Sequence, residues 1–515
     1  MDRKIFNFRD REKWGISREV LLGLLVFALL LRLPLLFFPE VIHNDGTEYI
    51  RHAKSFLVGD WAGGKSAPLY PFLIHLAHFV IQNYEMAGIL VSVIFGSLIV
   101  LPVFYLARSI LSDKAGILSA LIAAVHPFLY MSSGSVLTES TYHFFIAATV
   151  LFGWRAFDKG GVYPILLFSL FTTFAYLTRP EGIGFLFVFS IWVLLINPPD
   201  KKRPWVRKVG VIAAAIIAFL VFSSPYLIQI REETGRWTIS KKASVSIGSL
   251  SEEEEAPSIE TIKKKKGITL SSFVKNPLPV LGKVGIGFVQ SLYKFQQVCN
   301  PILFLLAILG LIWVFTGKNP RRTKGSFYLI SCFIFFFGLV FPFFWVTRRY
   351  TSQMISLSIP WAAFGCLGAM EWIDKRCAKK WRQIPISAIL FLLLLVVLFI
   401  QGRVIHPREH RLIQREAGLW MRDHLPKGGK VMSSLPQEAF YAGLPWVRIP
   451  SRGYDEILTA ARSKEVQYLI VDESIEKDSP DFWGKSKEGK LIQMAEWKGK
   501  DRRLVLFQVI YPKGD

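Results

Sequence analysis

The feature that most restricts this chain is a succession of long apolar runs separated by short basic clusters. Runs near 20–38, 86–107, 115–133, 138–156, 162–177, 182–197, 209–229, 298–316, 326–346, 350–370 and 384–401 each approach the roughly 20 residues a helix needs to cross a bilayer. Helix is the expected form, because a sheet edge in lipid leaves backbone donors and acceptors unpaired. Composition agrees: 52% of the 515 residues are hydrophobic and the mean hydropathy is +0.36. The fold class expected is a multi-pass α-helical membrane protein with about eleven transmembrane helices. The first run lacks a clear small-residue cleavage site and reads as a retained anchor. The net charge of +23 does not argue for nucleic acid, because Lys and Arg collect between the runs, as in cytoplasmic loops. Cys299, Cys332, Cys366 and Cys377 show no metal-ligand spacing and read as small apolar residues.

Orientation follows from those clusters. A cytoplasmic N-terminus puts Arg108 and Lys114 inside, together with Lys201, Lys202, Arg203, Arg207 and Lys208. It does the same for Lys318, Arg321, Arg322 and Lys324, and for Lys375, Arg376, Lys379, Lys380 and Arg382, which is the positive-inside pattern. The stretch Pro68–Gln82 is apolar but short, and counting it as a span would invert everything downstream. It reads as an interfacial or re-entrant helix, and Lys283–Gln297 is read the same way. The resulting plan is a membrane domain over 1–402, with a first outer loop at 39–85 and a long outer loop at 230–296, the latter carrying Glu252–Glu255 and Lys263–Lys266. The tail, 403–515, alternates helix-like stretches (REAGLWMRDHL, YDEILTAARSKEV) with strand-like ones (KVMSSL, QYLIVDES, RRLVLFQVI). It is expected to be a small extracytoplasmic α/β domain. No internal repeat is evident.

Charged groups at membrane depth are costly to desolvate and mark functional sites. In this topology they gather on the outer side. His43, Asp45 and Glu48 lie in the first outer loop, and Glu139 opens the fourth span. Arg179 and Glu181 share the turn LTRPEG, and Arg348, Arg349 and Tyr350 form the turn WVTRRYTSQ. A single loop charge means little, but helix bundles build sites from side chains on facing helices. Carboxylates with arginines suit transfer from an anionic leaving group: a carboxylate takes the acceptor's hydroxyl proton, and planar guanidiniums hold the departing phosphate. The outer face has no supply of nucleotide sugars, so the expected donor is a lipid-anchored sugar phosphate that arrives through the bilayer.

At these residues the chain resembles the GT-C glycosyltransferases, in particular glycosyltransferase family 39, which includes protein O-mannosyltransferases and lipid A aminoarabinose transferases. The resemblance rests on Asp45-Gly46-Thr47-Glu48-Tyr49, Ala67-Pro68-Leu69-Tyr70-Pro71, LTES at 137–140, LTRPEG at 177–182 and RRYTSQMISLSIP at 348–360. The tail sequence AGLWMRDHLPKGGKVMSS resembles the soluble domain of bacterial members. The resemblance implies Asp45 as catalytic base, with Glu48 and Glu139 assisting. It also implies that Arg348, Arg349 or Tyr350 contacts the lipid-phosphate donor; from its place at the outer turn Arg179 joins them as a phosphate-binding candidate, with Glu181 in support. Two departures matter. The acids are split by Gly46-Thr47, which leaves the choice of base between Asp45 and Glu48 open, and Lys65-Ser66-Ala67-Pro68 replaces a Lys-Pro-Pro run, so no phosphate role passes to Lys65.

The function expected is transfer of a sugar, with inversion, from a polyprenyl-phosphate donor to a hydroxyl of a lipid, glycan or protein, at the outer face of a bacterial inner membrane. No cofactor is required by this scheme and a divalent metal is left open; His43, His75 and His78 read as packing groups rather than metal ligands. The alternative is a transporter or flippase of lipid-linked envelope precursors, which would favour charges at the bilayer midplane and internal pseudo-symmetry. A non-catalytic envelope assembly component is the third reading.

Overall fold

A computed structural model describes residues 18–37, 41–60, 64, 66–196, 204–240, 277–343, 346–377, 386–404, 411–450, 453–475, 479–486, 489–499 and 502–511. By contact density the chain forms two units, one holding the apolar helices up to Val404 and the other holding 39–51 with the tail.

In the helical unit a helix lies at each of the eleven expected runs. Six are long and apolar enough to cross a membrane: Arg18–Leu36, Tyr84–Ile110, Trp205–Thr234, Pro320–Val340, Arg348–Asp374 and Ile386–Arg403. Two bent pairs pass the same test together, Asp113–Val125 with Pro127–Ser133 and Val284–Cys299 with Pro301–Thr316, and Val162–Thr178 and Pro180–Leu195 are shorter apolar helices. The windows in Tyr84–Ile110 and Arg348–Asp374 are 67% and 72% buried, against 17% for Arg18–Leu36 and Ile386–Arg403. The first two are therefore central and the last two present Leu22, Leu30, Leu392 and Leu393 to lipid. The helix Leu69–His78 has 10 residues, too short to span, as Pro68–Gln82 was expected to be.

The bends have local causes. Pro127 cannot donate to the ladder, so the helix stops at Val125 and restarts 52° away. The second break turns 109° at Asn300. Asn300 takes a φ of 70°, its side chain caps Ile302 N at 3.0 Å, and Pro301 opens the next helix. The helix Pro277–Cys299 takes up residues expected in the long loop, and the helix Pro204–Thr234 extends into its other end. The acidic and basic runs at 252–255 and 263–266, together with Lys65, Lys201–Arg203 and Lys379–Arg382, lie outside the described residues.

Two helices meet backbone to backbone where a side chain would not fit. A Cβ on Gly310 would come within 2.0 Å of the Trp361 carbonyl oxygen, and one on Gly365 within 1.9 Å of that of Leu306. Small residues give membrane helices this close approach. A buried arginine makes a second fixed point. Arg32, in the first helix, is fully buried and donates to the carbonyls of Ala124 (2.8 Å), Ala28 (3.2 Å) and Ala123 (3.3 Å) and to Ser133 Oγ (3.1 Å). It thereby closes the C-terminal end of Asp113–Val125 at its break, where carbonyls lack helical partners.

The tail is a five-stranded sheet of order β2-β1-β3-β5-β4, made of β1 (Val431–Ser433), β2 (Trp446–Arg448), β3 (Tyr468–Asp472), β4 (Leu491–Lys498) and β5 (Arg503–Val509). β1 runs parallel to β2 and β3, and β5 runs antiparallel to β3 and β4. The parallel pairs need crossovers, which the helices Gln437–Ala442 and Tyr454–Ser463 supply. Alternate residues feed two cores: Leu469, Val471, Val505 and Phe507 pack with Tyr454, Ile457 and Phe482. Ile470, Leu504 and Leu506 pack with Ile413, Ala417 and Met421 of the helix Leu412–His424. Continuous burial along Tyr468–Val471 is what a strand covered on both faces requires.

Candidate active site

One end of the helical unit gathers charge from three distant segments. Glu139 is the first residue of the helix Glu139–Asp158 and is 2% exposed; a helix N-terminus favours an anion there. Arg179 directly follows the helix Val162–Thr178. It takes an extended backbone (φ −149°, ψ 130°) because Pro180 follows. The turn is then folded back tightly, with Gly182 N donating to Arg179 O at 2.9 Å. A Cβ on Gly182 would come within 2.5 Å of the backbone at Ala175 and Tyr176, so only glycine fits, and this fixes Arg179 and Glu181. Arg348 and Arg349 open the short helix Arg348–Thr351.

These groups interlock. Arg349 Nε donates to Glu139 Oε1 at 2.5 Å, and Arg179 lies 3.5 Å from the same oxygen. The other arm of Arg179 reaches Glu181 Oε1 at 3.5 Å. Its guanidinium stacks over Tyr350 at 5.0 Å and Tyr142 at 5.5 Å, an arrangement open to planar arginine but poor for lysine. Arg348 is exposed and has no ion pair among the described residues. Two guanidiniums thus converge on Glu139, with Arg348 beside Arg349 in the chain, and guanidiniums gathered in this way suit an anionic group such as a phosphate.

Around this cluster lies a patch of buried polar groups. His143, one turn after Glu139, has its Nε2 3.4 Å from Ser352 Oγ. Thr138 Oγ1, Tyr142 OH, His143 Nδ1 and both amide atoms of Gln353 are buried without a hydrogen-bond partner among the described residues. Such groups are rare in a finished core and mark places where a polar ligand or solvent is expected. Neither His143 nor Gln353 was singled out from the sequence. The available signal was the spacing of His143 four residues after Glu139, on the same helical face.

Asp45 and Glu48 belong to the other unit. Both lie on the helix Asn44–Ser55, Asp45 exposed in its first turn and Glu48 one turn on. Glu48 is gripped at both oxygens by Arg51, at 2.9 and 2.6 Å. The structure therefore brings together Glu139, Arg179, Glu181, Arg349 and Tyr350, with Arg348 next to Arg349. Among the described residues no group of three or more His, Cys, Asp or Glu is spaced to hold a metal ion, and Glu139 already carries two guanidiniums.

Residues 65–228 match the family model described as dolichyl-phosphate-mannose-protein mannosyltransferase. Among solved structures, the chain is similar to ArnT from Cupriavidus metallidurans bound to undecaprenyl phosphate, with TM-score 0.60 and 13% identity over 95% of this chain and 98% of that one. It is also similar to the oligosaccharyltransferase AglB from Archaeoglobus fulgidus in complex with an inhibitory peptide and a dolichol-phosphate (TM-score 0.58, 13% identity, 90% of this chain and 70% of that one). A third is the arabinofuranosyltransferase AftD from Mycobacteria (TM-score 0.53, 14% identity, 97% and 40%). No curated protein matches the chain. The chain has the GT-C glycosyltransferase fold, an integral membrane architecture with a small C-terminal sheet domain.

Proposed function

We propose that the protein transfers a sugar from a polyprenyl-phosphate donor to a hydroxyl of a lipid, glycan or protein, at the outer face of a bacterial inner membrane. The observation that carries this reading is the Glu139–Arg179–Arg349 cluster on a GT-C fold. Guanidiniums gathered at a helix-bundle end suit a departing lipid phosphate, and two of the similar solved structures are complexes with a dolichol-phosphate and with undecaprenyl phosphate.

In this scheme the acceptor hydroxyl attacks the sugar's anomeric carbon as the bond to the phosphate oxygen breaks, inverting that centre. Asp45 takes the hydroxyl proton. Glu48, paired at both oxygens with Arg51, is the alternative base one turn further along the same helix. Glu139, engaged by two arginines, serves to hold Arg179 and Arg349 in place rather than to accept a proton. Arg348 and Arg349 receive the phosphate charge as it develops, with Tyr350 holding the Arg179 plane. The phosphate leaves as a stabilised anion, so no protein acid is needed. The basic clusters support a cytoplasmic N-terminus and an outer tail in this reading.

The test uses purified protein in lipid nanodiscs, supplied with a mixed polyprenyl-phosphate sugar extract and membrane acceptors. Release of polyprenyl phosphate with matching glycosylated product is expected, abolished in Asp45→Asn. No donor consumption, or Asp45→Asn matching the parent, would overturn the reading. Sidedness is checked by thiol labelling at Asp45→Cys and Arg348→Cys in intact cells, both expected to react with an impermeant reagent.

A further inference from the structure

In the unit that contains the tail, the chain just before the first-loop acids is held by side chains nearly 400 residues away. The Tyr441 hydroxyl accepts from Ile42 N at 2.9 Å. The Gln437 amide donates to Ile42 O at 3.3 Å and to Asn44 Oδ1. Asn44 is the first residue of the helix that carries Asp45. Ile42 and Val41 are 2% and 1% exposed and Gln437 is fully buried, so this is a built attachment rather than a surface brush.

The attachment rests on a rigid base. The helix Leu412–His424 packs on Gln437–Ala442 so closely that a Cβ on Gly418 would meet Tyr441 Cβ at 2.5 Å and Glu438 O at 2.7 Å. Gln414 Nε2 also donates to Glu438 Oε1 at 2.9 Å, and the Arg415 guanidinium lies over the Tyr441 ring at 5.6 Å. Within the loop, Thr47 N donates to His43 O at 3.1 Å and Thr47 Oγ1 to Asn44 O at 2.7 Å. The first turn bearing Asp45 is thus pinned internally and tied to the tail. A loop acid acts well only when its supporting shell is locked.

We infer that Gln437 and Tyr441 of the C-terminal domain are positioning residues for the Asp45 turn, so that the tail serves as the clamp that holds the reactive first loop in register. The inference rests on the reading of Asp45 as base. Misplacing a reacting group by about 1 Å costs on the order of 100-fold in rate.

The experiment compares full-length parent, Gln437→Leu, Gln437→His, Tyr441→Phe and Asp45→Asn in nanodiscs. It reads hydrogen exchange at amides 44–50, affinity for undecaprenyl phosphate, and consumption of the mixed donor extract. Gln437→Leu is expected to speed exchange at 44–50 about tenfold or more and cut turnover by about 10- to 100-fold, with undecaprenyl phosphate affinity within about twofold of the parent. Gln437→His, which keeps an N–H donor, is expected to recover part of both. Tyr441→Phe, the milder change, carries the test should Gln437→Leu fail to fold. Parental exchange and turnover in the clamp variants, with Asp45→Asn inactive, would overturn the clamp alone. Active Asp45→Asn would overturn the base assignment and the clamp with it.

Discussion

Arg349 Nε and Glu139 Oε1 lie 2.5 Å apart although 210 residues separate them in the chain. Glu139 is buried, and Arg349 is the more exposed partner at 35%. The pair therefore reaches from the core of the bundle toward its end, with the carboxylate as anchor. Replacing Glu139 with Gln removes the charge that orients both Arg179 and Arg349. Binding of undecaprenyl phosphate is expected to weaken about tenfold and donor consumption to fall about 100-fold. Arg349→Lys is expected to behave similarly, because an ammonium lacks the planar fork. Titration of labelled undecaprenyl phosphate, alongside turnover, checks both.

The turn that delivers Arg179 makes a separate prediction. Since the Gly182 Cα sits against the backbone of Ala175 and Tyr176, Gly182→Val forces the turn away from the preceding helix. Turnover is expected to drop by at least about tenfold while the thermal midpoint moves by only a few degrees. Large unfolding in place of this selective loss would show that the turn is a packing element and not a site element.

Glu438 predicts a pH dependence of the tail's stability. Burial pushes its carboxyl up to about 7, from an ordinary value of 4.5, with the Gln414 hydrogen bond opposing the shift. The folded state then binds the proton more tightly than the unfolded chain. Stability is highest below about pH 4.5, falls as the pH rises, and reaches its floor above about 7; the full span is on the order of 3 kcal/mol. Glu438→Gln keeps an acceptor for Gln414 and is expected to abolish this slope, raising the thermal midpoint at pH 8 but not at pH 4.5. Melting of the full-length protein across that range measures it.

Among the described residues Arg32 hydrogen-bonds to carbonyls and a hydroxyl and to no acid, so its loss should act on stability and not on chemistry. Arg32→Met removes four hydrogen bonds to a buried charge and leaves the end of Asp113–Val125 uncapped. A destabilisation of about 3 kcal/mol is expected, seen as a lower thermal midpoint, with turnover per folded molecule close to the parent.

Much of this architecture is legible in the sequence, for physical reasons. Spans announce themselves because lipid demands continuous apolar surface, and LTRPEG and WVTRRYTSQ stand out because charge beside such a run is expensive. In the tail, KVMSSL, QYLIVDES and RRLVLFQVI mark β1, β3 and β5, the three inner strands. The edge strands β2 and β4 were not anticipated: Trp446–Arg448 is short and largely exposed, and Leu491–Lys498 buries little after its first residue. Edges carry little of the apolar alternation on which such reading depends. His143 and Gln353 escaped notice because a polar residue within a span looks like packing until its unpaired atoms are seen. That 39–51 groups with the tail was equally invisible, since no local pattern encodes a partner nearly 400 residues on.

The burial of Arg32 also bears on how the chain enters the bilayer. Three of its four acceptors arrive only 91 to 101 residues later in synthesis. Until then the first helix carries a cation that lipid tails cannot solvate, and its head must reach for the headgroups. The helix is therefore expected to stay beside the insertion machinery, or near the interface, until the segment ending at Ser133 has emerged. Assembly of the bundle would then begin with a handover between these two segments.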